Sequence, residues 1–300
     1  MSRIALSYRA MKLGFAVVCL LLCVANAEAQ LQVELQLKRL QYVAYEPIIA
    51  TLGITNLAGR DVDLHDAAGQ PWFGFEITTR EGQPIGSVTT EQTQQTQPPL
   101  RIEAGKKVTQ QINLTPLYAV HDLGTYHLRA HVYFADLDKF FYSQGRVFEV
   151  TDARPIWQRS VGSPEGGTRT YSLLSNRFPD HTSLYVRVED KDSGVVYATY
   201  SLGRAIAFDE PEAEVDRSSQ LHVLHCAAPR IWAYSRIDLN GELVAHASFT
   251  QTKSRPRLVH TADGAVAVRG GMMETQSAQA ARESLPKLSE RPVRSPTKQE

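Results

Sequence analysis

Cysteine is nearly missing from this chain. Of three in 300 residues, Cys19 and Cys23 lie near the start, and Cys226 stands alone in everything that follows. One thiol cannot close an intrachain disulfide, so a disulfide framework is excluded for the body of the chain. Charge of one sign is also missing: 32 basic residues balance 32 acidic ones. Setting aside residues 1–29, which hold Arg3, Arg9, Lys12 and Glu28, leaves 29 basic against 31 acidic. That balance excludes nucleic acid as the main partner, because phosphate binding needs a concentrated basic surface. Beyond residue 24 no apolar run approaches the ~20 residues that span a bilayer. There is no Gly-x-Ser-x-Gly elbow, no phosphate-cradling glycine loop and no dinucleotide fingerprint. The sequence names no biochemical activity.

The first thirty residues read as an address. Arg3, Arg9 and Lys12 make a positive start, residues 13–24 are apolar, and Ala25-Asn26-Ala27-Glu28-Ala29 supplies small residues for a signal peptidase. Cleavage is expected after Ala29, with Ala27 as the alternative, and no membrane segment is then retained. Met11-Lys12 also makes a compact signal start, so translation from Met1 or from Met11 gives the same mature protein. The large residues Leu21-Leu22 before Cys23 disfavour lipoprotein processing. The expected location is outside the cytoplasm, in the periplasm or at the cell exterior.

The apolar fraction of 43% and the charged fraction of 21% suit a globular chain with a buried core. Residues 30–152 alternate apolar and polar positions. Leu31, Val33, Leu35 and Leu37 interleave with Gln32, Glu34, Gln36 and Lys38, the period of a strand with one buried face. Further strands are expected at 47–56, 61–65, 72–79, 84–90, 100–102, 108–114, 125–134 and 140–150, with an exposed loop at 91–99. Tyr126, Leu128, Ala130, Val132 and Phe134 take one face of the 125–134 strand, opposite His127, Arg129, His131 and Tyr133. Many short strands without a helix predict a sandwich of two antiparallel sheets.

Tyr45-Glu46-Pro47-Ile48, then Ile54-Thr55-Asn56 with Gly59, and later Gly124-Thr125-Tyr126 resemble the immunoglobulin-like domains of bacterial exported proteins. That group includes the family typified by a bacillar proteinase inhibitor. The resemblance covers residues 31–152 and implies a fold; it carries over no functional residue.

Pro155, Gly162, Pro164, Gly166 and Gly167 predict a linker over 153–168. A β-meander domain follows over 169–271. Residues 183–190 and 195–202 are expected to pair, as are 221–227 and 231–239. Asn240-Gly241 turns the chain into 242–249, and Asp263-Gly264 joins 257–261 to 265–269. Leu184, Leu221 and Leu258 open similar tripeptides 37 residues apart, a spacing like that of a β-propeller blade, though three units are too few to close one. Residues 272–300, with five basic and four acidic residues, read as a disordered tail. The fold class expected is all-β, an immunoglobulin-like sandwich followed by a meander.

Candidate chemistry gives way to simpler readings. His222 and His225, three apart on a strand, point to opposite faces and cannot share a metal. His127 and His131 share a face but lie about 13 Å apart. Asp190-Lys191-Asp192-Ser193-Gly194 faintly resembles a calcium loop, but its glycine comes one place early and position twelve is Ser201. His225 beside Cys226 points away from that thiol, and the acidic run Glu210, Glu212, Glu214, Asp216 reads as a solvated loop. No catalytic, cofactor or metal residue is assigned. The leading reading is a non-enzymatic exported protein that docks another protein or an envelope component. One alternative is a carbohydrate-binding module using Trp232, Tyr234, Tyr197 and Tyr200; another is a hydrolase whose residues converge only in the fold.

Overall fold

The computed structural model describes residues 31–67, 69–88, 98–164, 166–206 and 208–274. The expected signal segment with its Ala29 or Ala27 cleavage, and the tail from residue 275, lie outside the described residues. The chain is nearly all β and divides into two compact units between Thr151 and Asp152.

The first unit holds β1 (Leu31–Leu37), β2 (Gln41–Val43), β3 (Ile49–Asn56), β4 (Val62–Leu64), β5 (Phe73–Thr79), β6 (Leu100–Ile102), β7 (Lys107–Asn113), β8 (Gly124–Phe134), β9 (Lys139–Tyr142) and β10 (Arg146–Thr151). One sheet has the order β1-β3-β7; the other is β2-β10-β8-β5, with β9 also on β8, and β4 pairs with β6. Leu35, Leu52 and Ile54 from the first sheet share one core with Ile77, Leu128, Val132 and Phe148 from the second. The alternation read in β1 and β8 is therefore the alternation between that core and the outside. Two departures matter. Gln41–Val43 breaks away from β1 and joins the opposite sheet, parallel to β10. Pro84 to Val88, expected as a strand, makes only isolated bridges at Pro84 and Ser87.

The motif residues of this unit are structural. Asn56 is fully buried; its Nδ2 donates to the carbonyls of Arg60 (2.7 Å) and Ile102 (2.8 Å), and its Oδ1 accepts the Ala58 amide. Tyr126 Oη donates to the Asp122 carbonyl at 2.8 Å and pins the entry to β8.

The second unit holds β11 (Arg154–Gly162), β12 (Thr168–Arg177), β13 (Thr182–Asp190), β14 (Val196–Ala205), β15 (Glu212–Val215), β16 (Leu221–Ala228), β17 (Ile231–Ile237), β18 (Leu243–Thr250), β19 (Arg257–His260), β20 (Val266–Arg269) and β21 (Met272–Met273). Strands β11 to β14 form one antiparallel meander, β15 to β18 another with β21 added, and β19–β20 a separate hairpin. The four hairpin pairings expected from turn chemistry are present. The 37-residue spacing marks one strand in each of three successive sheets: β13, β16 and β19.

Three expectations need correction here. Residues 154–162, expected within a linker, are a full strand paired with β12; Pro155 sits on that edge strand, where its missing N–H does no harm. The acidic run contains β15, because its carboxylates are half-covered and paired. Glu212 accepts the Leu258 amide, and Glu214 faces His260 (3.3 Å). Met272–Met273, expected in the tail, extends the second sheet beside Phe249 and Thr250.

Replacing Tyr126 with Phe removes one buried hydrogen bond and little apolar contact. The expected loss is about 1 kcal/mol, read as a lower urea midpoint of the full chain; an unchanged midpoint contradicts the role given to that hydroxyl.

Candidate functional site

The four aromatic residues expected to form a sugar-binding surface do not form one. Trp232 is 2% exposed and lies with Leu224 and Cys226 under Leu258 and Val268 of the β19–β20 hairpin. Arg255 stacks over its ring at 4.2 Å. Tyr234 donates its hydroxyl to this same interior, 2.8 Å from His222 Nδ1. The Tyr200 hydroxyl is buried without a partner, and burial followed by the nearby Asp238 charge pushes its pKa up. Tyr197 alone is exposed, under the Arg169 guanidinium. Trp232, Tyr234 and Tyr200 thus pack into the interior of this unit, and Tyr197 does not.

The other candidates also serve the fold. His222 and His225 do face opposite sides of β16, and both are buried. His222 Nε2 meets Asp216 Oδ2 at 3.0 Å, making an Asp216–His222–Tyr234 chain. Burial pushes Asp216 up, but hydrogen bonds from His222 and the Gln220 amide outweigh it and hold its carboxyl below the usual range. Asp190 accepts bonds from the Asp192 and Ser193 amides and the Ser193 hydroxyl, and pairs with Arg169. Its oxygens are thus spent on a hairpin turn. Ser235 Oγ lies 3.3 Å from His246 Nδ1, but Ser235 is buried beyond a substrate's reach. A groove of about 750 Å³ in this unit includes Asp209 and Glu210; these are consecutive loop residues, and Asp209 is tied to Arg255 at 3.1 Å.

The first unit gathers what the second does not. On the outer face of β8, Arg129, His131 and Tyr133 stand beside Phe140 and Tyr142 of β9, with His131 opposite Tyr142 and Tyr133 opposite Phe140. Ring centroids are 4.9 Å apart for Tyr133–Phe140, 5.6 Å for His131–Phe140 and 6.2 Å for Phe140–Tyr142. Such cross-strand aromatic pairs stabilise a sheet by roughly 0.5–1.5 kcal/mol each. Arg129 stacks over Tyr142 at 4.2 Å and holds Glu76 through both Nε (3.1 Å) and Nη2 (2.6 Å). Gly74 makes room for this row: a methyl there would sit 2.7 Å from His131 Nε2. Burial first, then the Arg129 charge, lowers the His131 pKa, with Glu76 opposing. Phe140 is 36% and Tyr142 46% exposed, so the row ends in open apolar surface.

Tyr142 also lines a groove of about 520 Å³ beside β1. Residues 31–36 form one wall; Tyr142, Gln144 and Arg146 form the other, and Leu57 lies beside Leu31. Arg146 Nε donates to the Leu35 carbonyl across it at 2.7 Å. The groove offers a ring to stack on, and amides and a guanidinium to bond. Two features of the sequence point to it, the face shared by Arg129, His131 and Tyr133 and the run Phe140-Phe141-Tyr142. Neither reveals that β1 stands opposite.

No protein-family model matches the chain, and no curated protein matches its sequence.

The buried His225 yields a pH prediction. Neither of its ring nitrogens meets a hydrogen-bond partner. Burial pushes its pKa down to about 4, with the Arg204 backbone opposing and His246 adding to the shift. An unfolded histidine titrates near ~6.5. Between pH 6.5 and 4 the unfolded chain therefore binds the extra proton, and stability falls as pH falls, by up to roughly 3 kcal/mol. His225→Leu should flatten the urea-midpoint profile over that window; an unchanged slope contradicts the assignment.

Proposed function

We propose that the chain is an exported, non-catalytic docking protein of the periplasm or cell exterior, whose first unit binds its partner at the seam between β1 and β9–β10. The single observation behind this reading is the groove beside β1, adjoined by the exposed Phe140–Tyr142 pair. Exposed apolar rings next to unsatisfied polar groups are what a binding surface needs and what a free surface avoids.

An immunoglobulin-like assignment of the first unit belongs to the same reading. It is supported by β1 and β2 joining opposite sheets, by β2 running parallel to β10, and by the Tyr126 hydroxyl reaching back to the Asp122 carbonyl. A glycan partner is the second reading. What favours it is the same ring pair, flanked by Arg129 and Glu76, so the sugar surface moves from the second unit to this one.

The test is retention of solubilised envelope material by the immobilised mature chain, compared with a Phe140→Ala/Tyr142→Ala double variant. The expected result is a loss of at least tenfold in whatever the wild type retains specifically. Equal retention by the two proteins contradicts the location of the site.

A further inference from the structure

The backbone of β1 has a direction that its side chains do not reveal. In an antiparallel ladder, the amide and carbonyl of a residue point to the same neighbour, and the neighbour alternates along the strand. Asn56 bonds towards β7, its amide to the Lys106 carbonyl (2.9 Å) and its carbonyl to the Gly105 amide (3.0 Å); the Ile48 carbonyl accepts the Leu114 amide. Thr51, Gly53 and Thr55 therefore turn to β1, where they meet Gln36, Glu34 and Gln32. Leu31, Val33 and Leu35 are left with their backbone groups turned outward. The Arg146 bond to the Leu35 carbonyl, made from the groove side, reaches the same conclusion independently. Val33 N–H and C=O, Leu35 N–H and the Leu31 carbonyl meet no partner among the described residues and are spaced at the two-residue strand period.

Two other edges among the described residues are protected. On β5, the Ile85 amide bonds the Ile77 carbonyl and the Thr79 amide bonds the Gln83 carbonyl, both at 2.8 Å. On β11, Pro155 and an adjoining irregularity break the ladder. Folded proteins protect their strand edges in such ways. β1 has a regular seven-residue ladder with no proline, glycine or bulge.

We infer that the seam takes one extended segment of a partner polypeptide, which adds to β1 as a further strand and carries an acidic side chain opposite Arg146. This rests on the docking reading above and names its ligand. Main-chain amides and carbonyls repeat at the period of the open groups on β1, and a saccharide's hydroxyls do not. The charge follows from the groove walls. Glu34 is neutralised by Lys107 at 2.6 Å, whereas Arg146 meets only the neutral Leu35 carbonyl among the described residues.

A phage-displayed library of linear nine-residue peptides, panned against the mature chain (residues 30–300), tests the inference. Enriched peptides should alternate apolar and polar residues and contain Asp or Glu. Their affinity should fall at least tenfold in Val33→Pro, which deletes an outward N–H that bonds nothing within the ladder. If that variant does not fold, hydrogen exchange on the wild type decides instead: an enriched peptide should protect the Val33 and Leu35 amides. Equal binding to Val33→Pro, unprotected amides, or no enrichment overturns the inference. Envelope polysaccharide bound in a Tyr142-dependent way, without such peptides, leaves the docking reading standing and removes the polypeptide. Loss of seam dependence for both ligands removes the docking reading as well.

Discussion

The first unit depends on the ion pair between Arg39 and Glu46. The chain leaves β1 on one sheet and enters β2 on the other within four residues, and a carboxylate buried at that crossing holds it. Glu46 is 5% exposed; one oxygen takes the Arg39 guanidinium and the other takes the Val43 amide at 3.1 Å. Its backbone carbonyl accepts the Thr115 hydroxyl, and Thr115 in turn accepts the Ile48 amide, so the clamp also ties the start of β3 to the end of β7. Tyr45 beside it takes a left-handed backbone conformation, φ 66°, which a non-glycine residue adopts only when its surroundings fix it. Removing Arg39 would leave a buried charge without its partner, a more severe loss than any exposed ion pair carries.

The crossing has a consequence for function. A chain that continued in one sheet would have covered its own edge. Because β2 departs to pair with β10, β1 pairs with β3 on one side, and on the other, among the described residues, no strand pairs with it and Arg146 reaches its Leu35 carbonyl. The same clamp that stabilises the unit therefore also leaves the β1 edge unpaired among the described residues. The second unit stores its polar chemistry inside instead, in the Asp216–His222–Tyr234 chain and in the unpartnered His225. Of these, the buried His225 is the group whose lowered pKa ties the unit's stability to acid.

Much of the fold was legible because period-two alternation and Asn-Gly or Asp-Gly turns report local pairing directly. At Tyr45-Glu46-Pro47 and at Asn56 a buried polar side chain organises a turn. What escaped notice required distant partners. β2 is three residues long and exists only through β10; β11 contains a proline that an edge strand tolerates; β15 is acidic because Arg255, the Leu258 amide and His260 meet it. The aromatic residues of the second unit were misread because a sequence does not show that the β19–β20 hairpin covers Trp232. The candidate site was legible only in part for a similar reason: one wall comes from β1 and the other from a segment more than a hundred residues later.

The central claim is that β1 presents an open, outward-turned edge, and amide hydrogen exchange of the free chain over residues 30–300 tests it most directly. The account predicts that the Val33 and Leu35 amides exchange rapidly, while those of Glu34 and Gln36, bonded to β3, exchange slowly. Slow exchange at all four positions would mean that the edge is already covered, and the account of the seam would be wrong.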